Sequence, residues 1–174
     1  MSVNTVYIGF GSNMGNREFK FEEVLREFDR SGDISITKCS RLYETDPIGL
    51  SDDGAPFVNA VLEAQTDLSP KGLMARLREM ELRLGKSPSH RSDLSRTVDL
   101  DLLLYGDLEF KDKDLEIPHP RMHIRGFVLV PLADVASDTV HRVLGCTVGE
   151  LLKRIPPEEL LGVRPLTVEV GHEI

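Results

Sequence analysis

The sequence predicts an α+β fold, a ferredoxin-like split β-α-β sandwich: an antiparallel sheet with helices on one face and C-terminal additions. Three observations predict it. Stretches of period-two alternation and of helical spacing follow one another in the order β-α-β-β-α-β. Capping residues open the second helical stretch, and glycines close both. The apolar faces are one-sided, so sheet and helices must cover each other. In such a sheet the first and fourth strands are expected as central neighbours.

The elements follow in order. Val6 to Ser12 reads as a strand running into the loop Asn13-Met14-Gly15-Asn16. Phe21, Val24, Leu25 and Phe28 recur at helical spacing, and Gly32 stops that helix. A second strand is expected from Ile34 to Tyr43, followed by a loop from Glu44 to Pro56 too long for a tight hairpin. In the strand Phe57 to Ala64, Val58, Ala60, Leu62 and Ala64 form the core face, leaving Phe57 and Asn59 on the other.

Ser69-Pro70 is an N-cap and first-turn pair for a helix with the stripe Leu73, Leu77, Met80 and Leu84, stopped by Gly85. A polar loop, Lys86 to Ser95, leads to a strand with Val98, Leu100, Leu102 and Leu104 on one face and Asp99 and Asp101 on the other. Ile117-Pro118-His119-Pro120-Arg121 precedes an apolar helix from Arg125 to Val135. A last amphipathic helix near Thr147 to Arg154 and an extended finish at Leu166 to Val170 complete the chain.

The 174 residues fit one domain, 1–174, large enough for a core without staples. A net charge of −8 speaks against general nucleic-acid or anionic-membrane binding, which requires a basic surface. Cys39 and Cys146 stand far apart without metal-ligand spacing, as suits a reducing cytoplasm. No apolar run reaches membrane-spanning length, and Met1-Ser2-Val3-Asn4 lacks the basic start of a signal peptide. A cytoplasmic protein is expected.

Asp99 and Asp101 carry the sharpest chemical signal. Two carboxylates about 7 Å apart on one strand face repel each other. Divalent cations would remove that repulsion, and hard oxygen ligands favour Mg²⁺ or Mn²⁺ with substrate phosphates completing the shell. Taken alone, a bare Asp-x-Asp reads more readily as a solvated acidic face. Lys86, His90, Arg91 and Arg96 precede the strand, where basic side chains would neutralise phosphoryl oxygens. His119, held between two prolines near Arg121, His123 and Arg125, reads as a phosphate contact. Glu81, at the edge of its helical stripe, is either a rim carboxylate or a ligand contact.

Gly9-Phe10-Gly11-Ser12-Asn13-Met14-Gly15 has neither the G-x-G-x-x-G spacing nor a Gly-Lys-Ser/Thr. Its glycines are expected to let the strand turn tightly beside a neighbour. No Cys pair accompanies the histidines and no H-x-x-x-H lies on a predicted helix, which speaks against zinc.

With these pieces in order, the sequence resembles the 6-hydroxymethyl-7,8-dihydropterin pyrophosphokinase family of folate biosynthesis over about residues 5 to 152. The resemblance rests on Tyr7 to Asn13, Tyr43 to Gly49, Phe57 to Ala60, Arg96 to Asp101, Ile117 to Arg121 and Arg125 to Leu129. It implies transfer of the β,γ-diphosphoryl group of ATP to the pterin hydroxymethyl group, with release of AMP. Carried onto matching positions, Asp99 and Asp101 would bind two Mg²⁺ ions. Thr45, Pro47, Ile48, Phe57, Asn59 and Phe127 would form the pterin pocket. Glu81, Lys86, Arg96, His119 and Arg125 would contact ATP, and Lys86 and Arg96 would join the aspartates as catalytic residues. ATP and the pterin are the implied partners, with no nucleic acid or membrane, and a monomer is expected.

One region departs from the family pattern. Members carry Arg-x-Arg after the helix-ending glycine and Trp-Gly-Pro before the signature arginine; here those places read Lys86-Ser87-Pro88 and Asp93-Leu94-Ser95. Lys lacks the planar fork of Arg, and Pro carries no charge. The alternative left open is a non-catalytic nucleotide- or pterin-binding homologue with a degraded basic loop.

Overall fold

A computed structural model describes residues 2–13, 15–46, 55–85 and 98–167. In chain order the strands are β1 (Asn4–Ser12), β2 (Ile34–Cys39), β3 (Tyr43–Thr45), β4 (Phe57–Thr66), β5 (Asp99–Tyr105), β6 (Phe110–Lys111), β7 (Glu116–Ile117), β8 (Val140–His141), β9 (Cys146–Thr147) and β10 (Val163–Pro165). The helices are α1 (Arg17–Ser31), α2 (Pro70–Arg83), α3 (Gly126–Ala136), α4 (Val148–Leu152) and α5 (Pro157–Leu160).

Local chemistry sets the helix ends. The Asn16 side chain accepts the Phe19 N–H at the start of α1, and Gly32 ends that helix at φ 69°, where a side chain would be strained. Ser69 caps α2 by accepting the Gly72 N–H, and Pro70 occupies its first turn. Thr147 and Glu150 form a reciprocal capping box at α4.

Among the described residues the main sheet runs β10-β3-β4-β1-β5, every pairing antiparallel, with β2 also on β4. The first and fourth strands of the expected unit, β1 and β5, are neighbours, but β5 lies at the sheet edge rather than centrally. Helices α1 and α2 cover one face, burying Phe21, Val24, Phe28, Leu73, Leu77 and Met80 against Val6, Ile8, Val58, Leu62 and Leu100. The C-terminal additions α3 and α4 cover the other, closing over Tyr7, Val61, Leu103 and Leu104.

Two further expectations are corrected. The strand expected from Ile34 to Tyr43 is two, β2 and β3, lying end to end along β4. Ser40 breaks it: its N–H donates to the Val61 carbonyl while its hydroxyl accepts the Val61 N–H, so a side chain replaces a rung of the ladder. Leu104 leaves the face of Leu100 and Leu102, because β5 slips by one residue against β1 between Tyr7 and Ile8. That slip turns Leu104 to the α3 side and puts Tyr105 in the α1–α2 core. Of the extended finish expected at Leu166 to Val170, Leu166 continues the β10 pairing by donating its N–H to the Leu42 carbonyl, and residues 168–174 lie outside the described ones.

Candidate active site

The site is built on the sheet face turned away from α1 and α2. Gly9 and Gly11 lie mid-strand in β1, between two neighbours in register. Gly11 pairs with Asn59 on one side and Asp99 on the other; Gly9 pairs with Val61 and Asp101. The two aspartates thus stand beside positions with no side chain, and the glycine row forms the floor of a trough. This corrects the expectation that these glycines turn the chain: of Gly9, Gly11 and Gly15, only Gly15 has a positive φ, 63°.

The trough opens into a cavity of about 340 Å³. Asp99, Asp101, Gly9, Gly11, Leu103 and Arg125 line it, facing Thr45, Asp46, Phe57, Asn59, Val61 and Phe127. Phe57 and Asn59 project here because the core face of β4 is taken by Val58, Ala60 and Leu62. Asn59 is 7% exposed and donates from Nδ2 to Thr45 Oγ1 at 2.6 Å. That bond fixes the amide, leaving the rest of its edge for a ligand. Phe127 enters from the first turn of α3, with the Arg125 guanidinium 5.6 Å from its ring centre.

Asp99 is half-buried and Asp101 exposed. Among the described residues no group of three or more His, Cys, Asp or Glu side chains converges as a metal cage. The donors offered are therefore two hard carboxylates beside an open cavity. That set fits Mg²⁺, which keeps waters and takes substrate phosphate oxygens rather than a complete protein shell.

Glu81 is not a solvated rim carboxylate. It is 7% exposed, and its Oε1 accepts the N–H of Leu100, the residue between the two aspartates, at 2.8 Å. The outward N–H of an edge strand is thereby satisfied from the last turn of α2. His119 is tied to β5 through its own N–H, donated to the Leu103 carbonyl at 2.9 Å, and its Nδ1 accepts the Arg121 N–H. Burial holds its pKa below the ordinary imidazole value; Asp101 opposes that shift, and Arg125 and Arg121 reinforce it. Glu81 and His119 do not line the cavity themselves. Pro47, Ile48, Lys86 and Arg96 lie outside the described residues.

Sequence reasoning missed the cavity roles of Gly9, Gly11, Val61, Leu103 and Asp46. The glycines could have been found: Gly-Phe-Gly at period two puts both glycines on one face and Phe10 in the core on the other.

The family model for 7,8-dihydro-6-hydroxymethylpterin-pyrophosphokinase matches residues 7–137. A Bacillus subtilis 2-amino-4-hydroxy-6-hydroxymethyldihydropteridine pyrophosphokinase is 39% identical over 134 residues, covering 77% of this chain and 79% of the relative. The Haemophilus influenzae protein of the same name is 34% identical, covering 92% and 99%. A Pneumocystis carinii folic acid synthesis protein is 37% identical over 92% of this chain, which spans only 21% of that longer relative. In fold, the chain is similar to a Plasmodium falciparum HPPK-DHPS crystal structure with pterin and p-hydrobenzoate, at TM-score 0.73 and 14% identity over 96% of this chain and 48% of that one.

Proposed function

The chain belongs to the 7,8-dihydro-6-hydroxymethylpterin-pyrophosphokinase family, and from that premise we propose how its residues carry the family's reaction. It is a transferase of folate synthesis that moves diphosphate from ATP to the hydroxymethyl dihydropterin and releases AMP. The names of its relatives lend no support to a non-catalytic homologue.

One observation carries the assignment of roles: Asp99 and Asp101 stand opposite Gly11 and Gly9 on one wall of a cavity whose other wall is Thr45, Asn59 and Phe57. We assign the aspartates to two Mg²⁺ ions on the triphosphate, which when bound would neutralise phosphate charge and lower the pKa of the attacking hydroxyl. Thr45 and Asn59 would orient the polar edge of the pterin, while Phe57 and Phe127 would pack on its ring. Pro47 and Ile48 belong to the same pocket in this reading. Arg125, His119, Lys86 and Arg96 would bind the phosphates as donors. Glu81 would serve ATP by holding the strand between the aspartates.

In the reaction the pterin hydroxyl oxygen bonds to the β-phosphorus, the bond from that phosphorus to the α,β-bridging oxygen breaks, and the hydroxyl proton is lost. Alignment and charge neutralisation suffice for such an in-line displacement, and no covalent protein intermediate is needed. We further assign the whole chain to a single domain acting as a cytoplasmic monomer. Among the described residues no helix is long and apolar enough to cross a membrane.

The test is incubation with ATP, Mg²⁺ and 6-hydroxymethyl-7,8-dihydropterin. AMP and the pterin diphosphate should form together and only with the metal. ADP as the sole nucleotide product, or turnover indifferent to chelation, refutes the assignment.

A further inference from the structure

We propose that Arg164, on the short strand β10 beyond the residues matched by the family model, is a positioning residue for the pterin side of the cavity. The proposal rests on the functional reading above and concerns how the Thr45 wall is held.

β3 is only three residues long and would otherwise end the sheet. β10 pairs with it along its whole length, Val163 opposite Thr45, Arg164 opposite Glu44 and Pro165 opposite Tyr43. The pairing continues at both ends: Gly162 O accepts the Asp46 N–H at 3.2 Å, and the Leu166 N–H donates to Leu42 O at 2.8 Å. A Cβ added to Gly162 would stand 3.3 Å from Asp46 Oδ2, so the close approach suits glycine.

Side chains lock this edge a second time. Arg164 grips Asp46 with both terminal nitrogens, at 2.8 and 3.1 Å, and reaches Glu44 Oε1 at 3.6 Å. The other Glu44 oxygen accepts from Arg17 at 3.1 Å, and Arg17 also donates to the Pro56 carbonyl, just before β4. Four alternating charges, Asp46, Arg164, Glu44 and Arg17, therefore run along the outer edge of the cavity. Inside that edge Asp46 and Thr45 line the cavity, and Thr45 is 5% exposed with its hydroxyl on Asn59.

An exposed ion pair contributes little to global stability. A bidentate, networked pair bolted to a backbone ladder restricts geometry, and restricted geometry is what a preorganised binding wall needs. Loss of Arg164 should therefore weaken pterin binding selectively, since the aspartate wall lies across the trough on β5.

The test is calorimetric titration of 6-hydroxymethylpterin, in the presence of Mg²⁺ and a non-hydrolysable ATP analogue, into wild type, Arg164→Ala and Arg164→Lys, with melting temperatures beside it. Arg164→Ala should weaken pterin binding roughly three- to tenfold with the affinity for the ATP analogue changed less than about twofold, and Arg164→Lys should recover part of the loss. Equal pterin affinity in wild type and Arg164→Ala overturns the inference, as does an equal loss for both ligands. If wild type binds pterin but forms no AMP, the functional reading falls while the affinity ratio still judges Arg164. If wild type does not bind pterin, both fall.

Discussion

Gly11 lies directly opposite Asn59 across the β1–β4 ladder, and a Cβ built on Gly11 would stand 3.1 Å from Asn59 Oδ1. The amide would have to give by a few tenths of an ångström, straining its bond to Thr45. Gly11→Ala should therefore cost about one hydrogen bond's worth of pterin affinity, roughly five- to tenfold. Gly9→Ala makes a contrast, because its Cβ would find its nearest neighbour, the Leu103 side chain, at an ordinary 3.6 Å. Alanine there should leave the melting temperature unchanged or raise stability by about 0.5–1 kcal/mol, since glycine is the poorer strand residue. Pterin titration and calorimetry of the two variants decide it; wild-type pterin affinity in Gly11→Ala would refute the cradle.

Glu81 buries a carboxylate to accept the Leu100 N–H at 2.8 Å. Removing it leaves that strand N–H without its acceptor, at a cost of about 1–3 kcal/mol. Glu81→Ala should lower the melting temperature by several degrees, about 2–4 °C per kcal/mol for a chain of this size. Glu81→Gln keeps an oxygen acceptor and should restore at least half of that loss. Calorimetry separates them: equal melting points for wild type and Glu81→Ala would mean the bond does not hold the strand.

What the sequence showed and what it hid divide along local and tertiary lines. Helices α1 and α2 were legible because their stripes, Ser69-Pro70 at the start of α2 and Gly32 or Gly85 at the end act within a few residues, whereas Asn16 reads only as loop in the sequence and its capping of α1 emerges from the structure. The break at Ser40 was hidden, because only the partner Val61 turns its hydroxyl into a rung of the sheet. The turning of Leu104 was hidden for the same reason: the slip in β5 exists only against β1. In the site, Asp99, Asp101, Thr45, Phe57, Asn59, Arg125 and Phe127 were named from motifs, and they line one cavity. The Asp46–Arg164 pair was not legible, since no local pattern joins residues so far apart in the chain.

His141 is 4% exposed beside His123, with ring centres 6.0 Å apart. Its Nδ1 accepts the Leu144 N–H, while its Nε2 is buried with no hydrogen-bond partner among the described residues. Burial, then the neighbouring His123, lowers its pKa from the ordinary 6.5. The unfolded chain therefore takes up the proton first as pH falls. The stability from the neutral ring is complete above about pH 6.5 and is lost as pH drops through the folded value. Melting temperature measured from pH 8 to pH 5 should fall in the acid half of the range. His141→Phe, which cannot be protonated, should flatten that slope; an unchanged slope in the variant would remove His141 as its source.

Asp99 and Asp101 point from one strand face about 7 Å apart, with Leu100 between them turned into the core. Without cations their charges oppose each other, so neutralising the exposed Asp101 should not harm the fold. Asp101→Asn should melt at or slightly above the wild-type temperature in chelator, with Asp99→Asn assayed beside it. Each should nonetheless lower turnover by roughly a hundredfold or more, because an amide cannot replace a charged ligand on the metal-bound triphosphate. Added Mg²⁺ together with an ATP analogue should raise the wild-type melting temperature by mass action and do so much less in either variant. That pairing of signs, a fold indifferent to the substitution and a reaction dependent on it, is what a ligand-binding acidic face requires. A solvated acidic face would leave turnover untouched, and a structural role would lower the melting temperature in chelator, so melting curves and AMP release on the same preparations distinguish all three.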